Sequence, residues 1–532
     1  MLLNSWKQSR RSIFHAASIA AAAKAFGLKA LAAPLELTAR LYESIGVKPV
    51  INSRGTFTII TGSQTLPEVK KAMDEASRHF VDMDELMNGV GARLSELSGA
   101  EWGIVTSGCC AAISHCTCAA IAGNNPERMQ QLPDLTGLKN EVIIPSYSRN
   151  VYDHAVRMVG ARIVEVKEPA ELEQAFTPRT AMVYILGGPG DDGPLGTRVI
   201  APIAKRHGVP VLVDAAAEIL TLKPNVHLER GATAVAYSGG KCIRGPQAGG
   251  LVFGEKEWLQ AAWLNSAPHH AFGRAMKAGK EEIMGMLAAV EQWVKRDHQT
   301  EWKEWEARLE LIAASVQRVA GVTARITQPS ADLSNRSPRL TISWDATRIN
   351  ITGPEMAKVL RDGEPRIIVA GSSGSRPERM QSSVWIIPYQ MMPGEEKSVA
   401  DRIRALLSSP PAPLAPEPAP APPATSLAGQ WDLNLDFGRG SAVHTLFFEQ
   451  DGSKLAGTHR GEFFSGDLNG SINGRAASFR SSHRVHGTRL SYEFTATLDG
   501  GKLTGSVFMG EYGTAPFTAE RHKYQQMGRR QG

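Results

Sequence analysis

The sequence predicts two α/β units in tandem, a proline-rich spacer and a small antiparallel β unit, and three observations carry that reading. Up to about Leu407, short apolar runs alternate with helical stretches, the signature of a largely parallel sheet covered on both faces. From Ser408 to Ser426 the chain reads "SSPPAPLAPEPAPAPPATS", a proline density that builds neither a helix nor a central strand and predicts an extended polyproline spacer. Beyond it come short alternating runs punctuated by Asp-Gly, Asn-Gly and Gly-Gly, the mark of tight hairpins. At 532 residues, with 42% hydrophobic and 21% charged residues, the chain has the composition of a multidomain globular protein.

Residues 1–33 hold Lys7, Arg10, Arg11, Lys24 and Lys29 and no acid. The paired arginine of "SRRSIF", the alanine-rich run to Phe26 and the small residues Ala30-Leu31-Ala32 predict a twin-arginine-type export leader, and hence a periplasmic or extracellular protein. An amphipathic helix at the start of a cytoplasmic protein is the alternative. Lys24 makes the run too short and too polar to span a membrane. Residues 34–290 are expected to form the large unit, with "EVIIP" (Glu141–Pro145), "TAMVYIL" (Thr180–Leu186), "VPVLVDA" (Val209–Ala215) and "GGLVFG" (Gly249–Gly254) as buried strands and "VIAPIAKRHG" (Val199–Gly208) as a helix. One long amphipathic stretch, about Lys280 to Ala320, hands over to a smaller α/β unit, 291–408, in which "RLTISW" is a strand and "KSVADRIRALL" a closing helix. The linker covers 409–426. Residues 427–522 read as an antiparallel barrel or sandwich without a catalytic constellation, and 523–532 as a tail.

Charge narrows the function classes. The formal net charge is +6, but the leader supplies most of it, so the body is nearly neutral and lacks the broad basic surface that a nucleic acid requires. Cys109, Cys110, Cys116 and Cys118 cluster, and Cys242 stands alone. The C-C-x5-C-x-C spacing matches no usual zinc pattern, so no metal site is expected and small buried thiols are the plainer reading.

The candidate chemistry centres on "VAYSGGKCIRGPQAGGLVFG" (Val235–Gly254). Lys241 follows Gly239 and Gly240, which would leave room around its amine for a bulky planar group such as pyridoxal 5′-phosphate held as a Schiff base. Such a cofactor needs a carboxylate to keep its ring nitrogen protonated. Asp214, at the C-terminal end of a predicted parallel strand, stands where α/β ligand sites are built, although an aspartate there also serves as a helix cap. A phosphate needs a cradle, and "IVTSGCCAAISH" (Ile104–His115) runs from a strand through Ser107 and Gly108 into a helix, whose first amides, Cys109 included, form an anion site. Ser238 can add a hydroxyl. Thr-Ser-Gly is also an ordinary helix cap.

These residues carry a family resemblance. "INSRGTFTIITGSQTLPEVKKAM", "TSGCCAAI", "RNVYDHAVRMVGARIVEV", "VDAAAE", "YSGGKCIRGPQAGGLVFG" and "GRAMKAGKEEIMGMLAAVEQW" together resemble the pyridoxal-phosphate enzymes of fold type I in the bacterial selenocysteine synthase and D-glucosaminate-6-phosphate ammonia lyase group, over roughly Leu35 to Leu407. The resemblance implies pyridoxal 5′-phosphate as cofactor and Lys241 as its aldimine lysine. It also implies Asp214 as the partner of the ring nitrogen, Ser107, Gly108, Cys109 and Ser238 as the phosphate site, and a homodimer or larger oligomer.

One departure stands out. Relatives tend to place a histidine just before the "RN-YDHA" segment, a natural group to stack on the ring, where this chain has Ser148; Tyr147, Tyr152 and His154 are the candidates to replace it. Arg54, Gln247, Arg274 with Lys277 and Lys280, and Arg366 are candidates to receive a substrate carboxylate or phosphate, each also readable as a solvated or ion-paired side chain. The expected reaction is an ammonia-lyase-type α,β-elimination on a small amino acid or amino sugar acid. The alternatives are β-replacement on seryl-tRNA, which the near-neutral body opposes, and a binding protein that keeps the fold without turnover.

Overall fold

A computed structural model describes residues 37–330, 332–376, 379–411 and 421–523. The export-type leader of residues 1–33 and the centre of the linker lie outside the described residues. The first strand, β1 (Ile51–Ser53), stands apart from the large sheet, which is built from β2 (Trp102–Thr106), β3 (Glu141–Pro145), β4 (Arg162–Val166), β5 (Thr180–Leu186), β6 (Val211–Asp214), β7 (Ala234–Ser238) and β8 (Gly250–Gly254). Their spatial order is β2-β8-β7-β6-β5-β3-β4. All pairings from β7 through β4 are parallel, whereas β8 runs antiparallel to both β2 and β7. β2, β3, β6 and β8 are buried at every residue, so both faces of the sheet are covered and the strands read as unbroken apolar runs.

The 280–320 stretch is two helices, Lys280–Lys295 and His298–Val316. The chain turns at Arg296, whose backbone is extended, and Asp297 caps the second helix by accepting from the amides of Gln299 and Thr300. Apolar periodicity alone did not mark this break, because the capping aspartate sits inside a continuously amphipathic pattern. The first helix packs on the large core and the second on the smaller one.

The smaller unit carries β9 (Thr323–Thr327), β10 (Arg339–Asp345), β11 (Ile367–Val369), β12 (Gly371–Ser375) and β13 (Arg379–Ile386), with a four-stranded antiparallel sheet in the order β12-β13-β10-β9. β1 pairs in parallel with β11, and Ile51 joins the core formed by Leu309 through Leu407. β1 thus belongs to the smaller unit although it precedes the larger one in sequence, which brings the loop after β1 across to the site.

Downstream, β14 (Gly429–Asp436), β15 (Ser441–Asp451), β16 (Lys454–Arg460), β17 (Ser465–Asn473), β18 (Ala476–Val485), β19 (Thr488–Asp499), β20 (Lys502–Phe508) and β21 (Thr514–Arg521) form a closed antiparallel barrel, in which β14 pairs with β21. Closure removes both sheet edges. The alternation is clean: Trp431, Leu433 and Leu435 point inward and are buried, as are Phe479 and Phe494. Among the described residues no helix is long and apolar enough to cross a membrane.

Candidate active site

The C-terminal ends of β2, β7, β6 and β5, with the N-terminal end of the antiparallel β8 lying between β2 and β7, bring the predicted groups to one edge of the sheet. Thr106 pairs with Gly250, and Gly250 with Ser238; Ala236 pairs with Asp214, and Asp214 with Leu186. Gly250 is required by this crowding. A Cβ there would stand about 2.5 Å from the Gly108 carbonyl oxygen and from Thr106 Oγ1. Thr106 Oγ1 in turn donates to the Gly108 carbonyl at 2.9 Å, fixing the turn that opens the helix Gly108–Ala122.

Asp214 is buried, 2% exposed. Its Oδ2 accepts from the Tyr184 hydroxyl at 2.7 Å, and its Oδ1 from the Ala216 amide at 3.0 Å and the Cys109 thiol at 3.4 Å. Burial raises the carboxyl above its usual range, and the opposing pull of Tyr184, Ala216, Cys109 and the Lys241 charge does not cancel that rise. Burial likewise pushes the Cys109 thiol well up, helped by the Asp214 charge. Lys241 donates its Nζ to the Thr56 carbonyl at 2.7 Å. Burial lowers its pKa against the charges of Cys109, Cys242 and Asp214, so the amine gives up its proton more readily than a surface lysine.

These residues fit pyridoxal 5′-phosphate. A protonated ring nitrogen beside Asp214 would supply the balancing charge that the donors around the carboxylate do not. Gly108 lies in the left-handed region (φ 82°) with no atom within 4 Å of a Cβ built on it, and Ser107 makes no capping bond with its side chain. That leaves a hydroxyl and the first amides of a 15-residue helix facing open space, the donor set that a phosphate takes. Ser238 lies two strands away at the same level of the sheet.

The two glycines before Lys241 serve a different purpose from the one their sequence suggests. A Cβ on Gly239 would meet the carbonyls of Gly249 and Pro246 at 2.8 Å as well as Met286 Sδ, and one on Gly240 would meet Gln247 Oε1 at 2.5 Å. They let this segment pack against the Lys280–Lys295 helix and against Gln247, rather than clearing space around the amine. Gln247 is exposed and clasps the preceding loop, its Nε2 donating to the Ser63 carbonyl at 2.5 Å.

The remaining candidates separate. Arg54 lies in the loop that carries Thr56; its guanidinium sits 4.5 Å from the Phe57 ring centre, and its Nε is buried without a hydrogen-bond partner among the described residues. Arg366 does not point to the site: Nε donates to the Arg361 carbonyl and Nη1 to the Lys48 carbonyl, tying the entry of β11 to the segment before β1. Arg274 is exposed, and with Lys277 and Lys280 it lines a cavity of about 280 Å³ that includes none of Lys241, Asp214 or Ser107.

Ser148 is fully buried and accepts from the Leu186 amide, so it cannot stack on a ring. Tyr147 is spent on the Leu195 carbonyl, and His154 is exposed at the start of a short helix. Tyr152, half exposed, is the one in the field of the site: its phenol is raised by burial and then by Cys110, Asp214 and Cys109. Of the thiols, Cys116 and Cys118 are buried within the helix, while Cys110 is exposed.

Sequence reasoning missed four contributors, namely Thr56, Tyr389, Tyr184 and Asn150. Tyr389, from the smaller unit, shares its hydroxyl with Thr56 Oγ1 and the Thr56 amide, each at 3.2 Å. Thr56, Cys242 and Tyr389 also line a cleft of about 260 Å³ with Arg244, Arg296 and Arg308. Arg244 holds a left-handed backbone (φ 57°), and its pKa is lowered by burial and by the nearby Arg296 charge.

Behind Asp214, His227 bridges two buried carboxylates, with Nε2 2.6 Å from Glu218 Oε2 and Nδ1 3.3 Å from Asp191 Oδ2. Burial opposes its charge, but the two carboxylates outweigh burial and raise its pKa from 6.5 to about 9. A pKa raised on folding gives stability that is whole below about 6.5 and lost as the pH rises through about 9. His227→Gln is expected to cost about 3–5 kcal/mol near neutral pH by stranding a buried charge, and to flatten the pH dependence of urea denaturation over that window.

A seven-stranded mixed sheet with a lysine, a buried carboxylate and a helix-borne anion cradle at its C-terminal edge defines the class: a pyridoxal-phosphate enzyme of fold type I. D-glucosaminate-6-phosphate ammonia lyase of Salmonella typhimurium (strain 14028s / SGSC 2262) is 30% identical over 383 residues, covering 70% of this chain and 98% of that protein. A solved structure of a D-glucosaminate-6-phosphate ammonia-lyase superposes with a TM-score of 0.61 at 28% identity, over 70% of this chain and 99% of that one. The chain belongs to the D-glucosaminate-6-phosphate ammonia lyase family. A second relative, 5′-C-glycyluridine monooxygenase-decarboxylase of a Streptomyces species, is 28% identical over 387 residues, covering 69% of this chain and 92% of that protein. No family model matches the chain.

Proposed function

We propose that this protein is a pyridoxal-phosphate-dependent lyase that eliminates ammonia from an amino acid or amino sugar acid, with Lys241 as covalent anchor and proton carrier. The observation that carries the reading is the approach of a half-buried amine, on the turn that follows β7, to a buried carboxylate at the end of the neighbouring strand β6, close enough for each charge to act on the other. When bound, the cofactor supplies an electron sink that makes a proton beside a substrate amine removable. Lys241 Nζ, relieved of part of its affinity for protons by burial, is suited to take that proton and deliver it to a departing β-hydroxyl, which leaves as water; hydrolysis of the released imine by water then gives ammonia and an α-keto acid. Asp214 would keep the ring nitrogen charged, and Tyr184, the Ala216 amide and Cys109 fix the carboxylate's orientation. Ser107, Gly108, Cys109 and Ser238 would hold the phosphate, and Tyr152 would stand beside the ring. Arg54, in the loop whose Thr56 carbonyl meets the Lys241 amine, receives a substrate carboxylate or phosphate, which favours acidic or phosphorylated substrates over neutral amines.

The test is a screen of amino acids and amino sugar acids, phosphorylated and not, for release of ammonia together with an α-keto acid. Ammonia and keto acid in equal amounts from one substrate support the reading. Carbon dioxide release without ammonia would replace it with a decarboxylase, the chemistry named for the Streptomyces relative. Self-association belongs to the same proposal and is read by light scattering of the purified protein.

A further inference from the structure

Asn150 is held from two sides. On the inner side its Nδ2 donates to the Ser148 carbonyl at 2.8 Å and to Tyr184 Oη at 3.2 Å, while its Oδ1 accepts from the Tyr152 amide at 2.7 Å. Tyr184 then donates to Asp214 at 2.7 Å, so a short polar chain runs from the Asn150 loop to the carboxylate. On the outer side stands the barrel. Gly487, in the hairpin between β18 and β19, packs directly on the Asn150 backbone: a Cβ built on it would collide with the Asn150 carbonyl and lie about 2.5 Å from its nitrogen. Gly487 is absent from the left-handed region, so the neighbouring loop, and not backbone strain, is what excludes a side chain there.

Two further groups of the same barrel end lie close enough to act electrostatically across this boundary. His486 stands in the field of Arg157, Arg149, Asp153 and His154, and Glu511, from the turn before β21, adds its charge to those acting on Tyr152. The loop below is rigid by construction, since Arg149 and Arg157 both pair with the buried Asp153, at 2.7 and 3.1 Å. A contact at Asn150 is therefore transmitted to Tyr184 instead of being absorbed by the loop.

We propose that the C-terminal barrel docks in cis on the rim of the cofactor site through its β18–β19 hairpin, and that this contact makes Asn150 and Tyr184 positioning residues for Asp214. The partner this face fits is thus the chain's own catalytic unit. The docking half stands on the contacts alone; the positioning half rests on the role given to Asp214 above.

The test uses the full chain and two variants, Gly487→Val and Asn150→Ala, with Gly487→Ala in reserve should the valine disturb exchange within β18 and β19. The first readout is amide hydrogen exchange of residues 149–153 without added cofactor. Gly487→Val is expected to speed it roughly tenfold while leaving the other barrel strands unchanged. Wild-type exchange in that segment would overturn the docking. The second readout is the visible absorption of the cofactor-loaded protein and its steady-state kinetics. Both variants are expected to shift the band and to lower kcat roughly tenfold at unchanged KM, and the double variant to fall no further than Asn150→Ala alone. An unshifted band and wild-type kcat alongside altered exchange would overturn the positioning role and leave the docking standing. Failure of the wild type to bind cofactor would sink the proposed function but leave the exchange result to decide the docking.

Discussion

Lys241→Ala is expected to abolish the visible band of the cofactor-loaded protein and its turnover together. The loss has two parts. Transfer of a proton by a positioned side chain contributes about 10²–10⁴-fold, and the covalent anchor adds its own contribution by holding the cofactor where Asp214 and Tyr152 can act on it. Lys241→Arg makes the experiment decisive. Arginine keeps the positive charge near Asp214 and Cys109, but it neither loses a proton in a protein nor forms the covalent bond. If the lysine served only to balance charge, the arginine variant would retain much of the activity. As anchor and proton carrier, Lys241 leaves both variants inactive, at least 10²-fold below wild type by the same estimate, with folding unchanged by circular dichroism. Turnover in the alanine variant within about tenfold of wild type would end the reading.

What could be read in the sequence follows the distance over which each feature is determined. The placement of Asp214, Ser238 and the Ser107-Gly108-Cys109 turn was legible because each lies at the end of a strand whose apolar run is local, and a parallel sheet puts such ends on one edge. Lys241 was legible from its glycine-rich setting, although the glycines turned out to serve packing on Met286 and Gln247. Thr56 and Tyr389 were not, since their bond joins residues 333 positions apart across two units. Tyr184 was hidden for another reason: in "TAMVYIL" it reads as one more buried strand residue, and only its neighbour across the sheet makes its hydroxyl a partner of Asp214. Arg366 shows the reverse error. An arginine in the smaller unit suits a carboxylate, but here two backbone carbonyls consume it. The barrel was legible as β structure from its turn dipeptides, while its closure and its contact with Asn150 depend on pairings between β14 and β21 and on packing that no local pattern records.

Asp214→Asn is expected to separate stability from activity. Asparagine has nearly the volume of aspartate; its one oxygen can keep the bonds from Ala216 and Cys109, and its amide nitrogen can donate to the Tyr184 hydroxyl oxygen where the carboxylate accepted from it, so packing is preserved. What it removes is a charge whose burial is penalised, as the raised pKa of the carboxyl indicates. A carboxyl raised on folding binds its proton more tightly in the folded state, so wild-type protein without cofactor should lose stability as the pH climbs from 3.8, the ordinary value, through the raised one. The asparagine variant lacks that loss and should equal or exceed wild type in urea denaturation above this window. Its turnover should nevertheless fall by about 10²–10³-fold, the usual cost of removing one preorganised electrostatic partner, because a neutral amide no longer holds the ring nitrogen protonated. The cofactor itself should still bind, since the phosphate cradle and Lys241 are untouched. A variant that is both less stable and fully active would mean that Asp214 is a structural cap for the Ala215-Ala216 turn, and the electron-sink role would have to be assigned elsewhere.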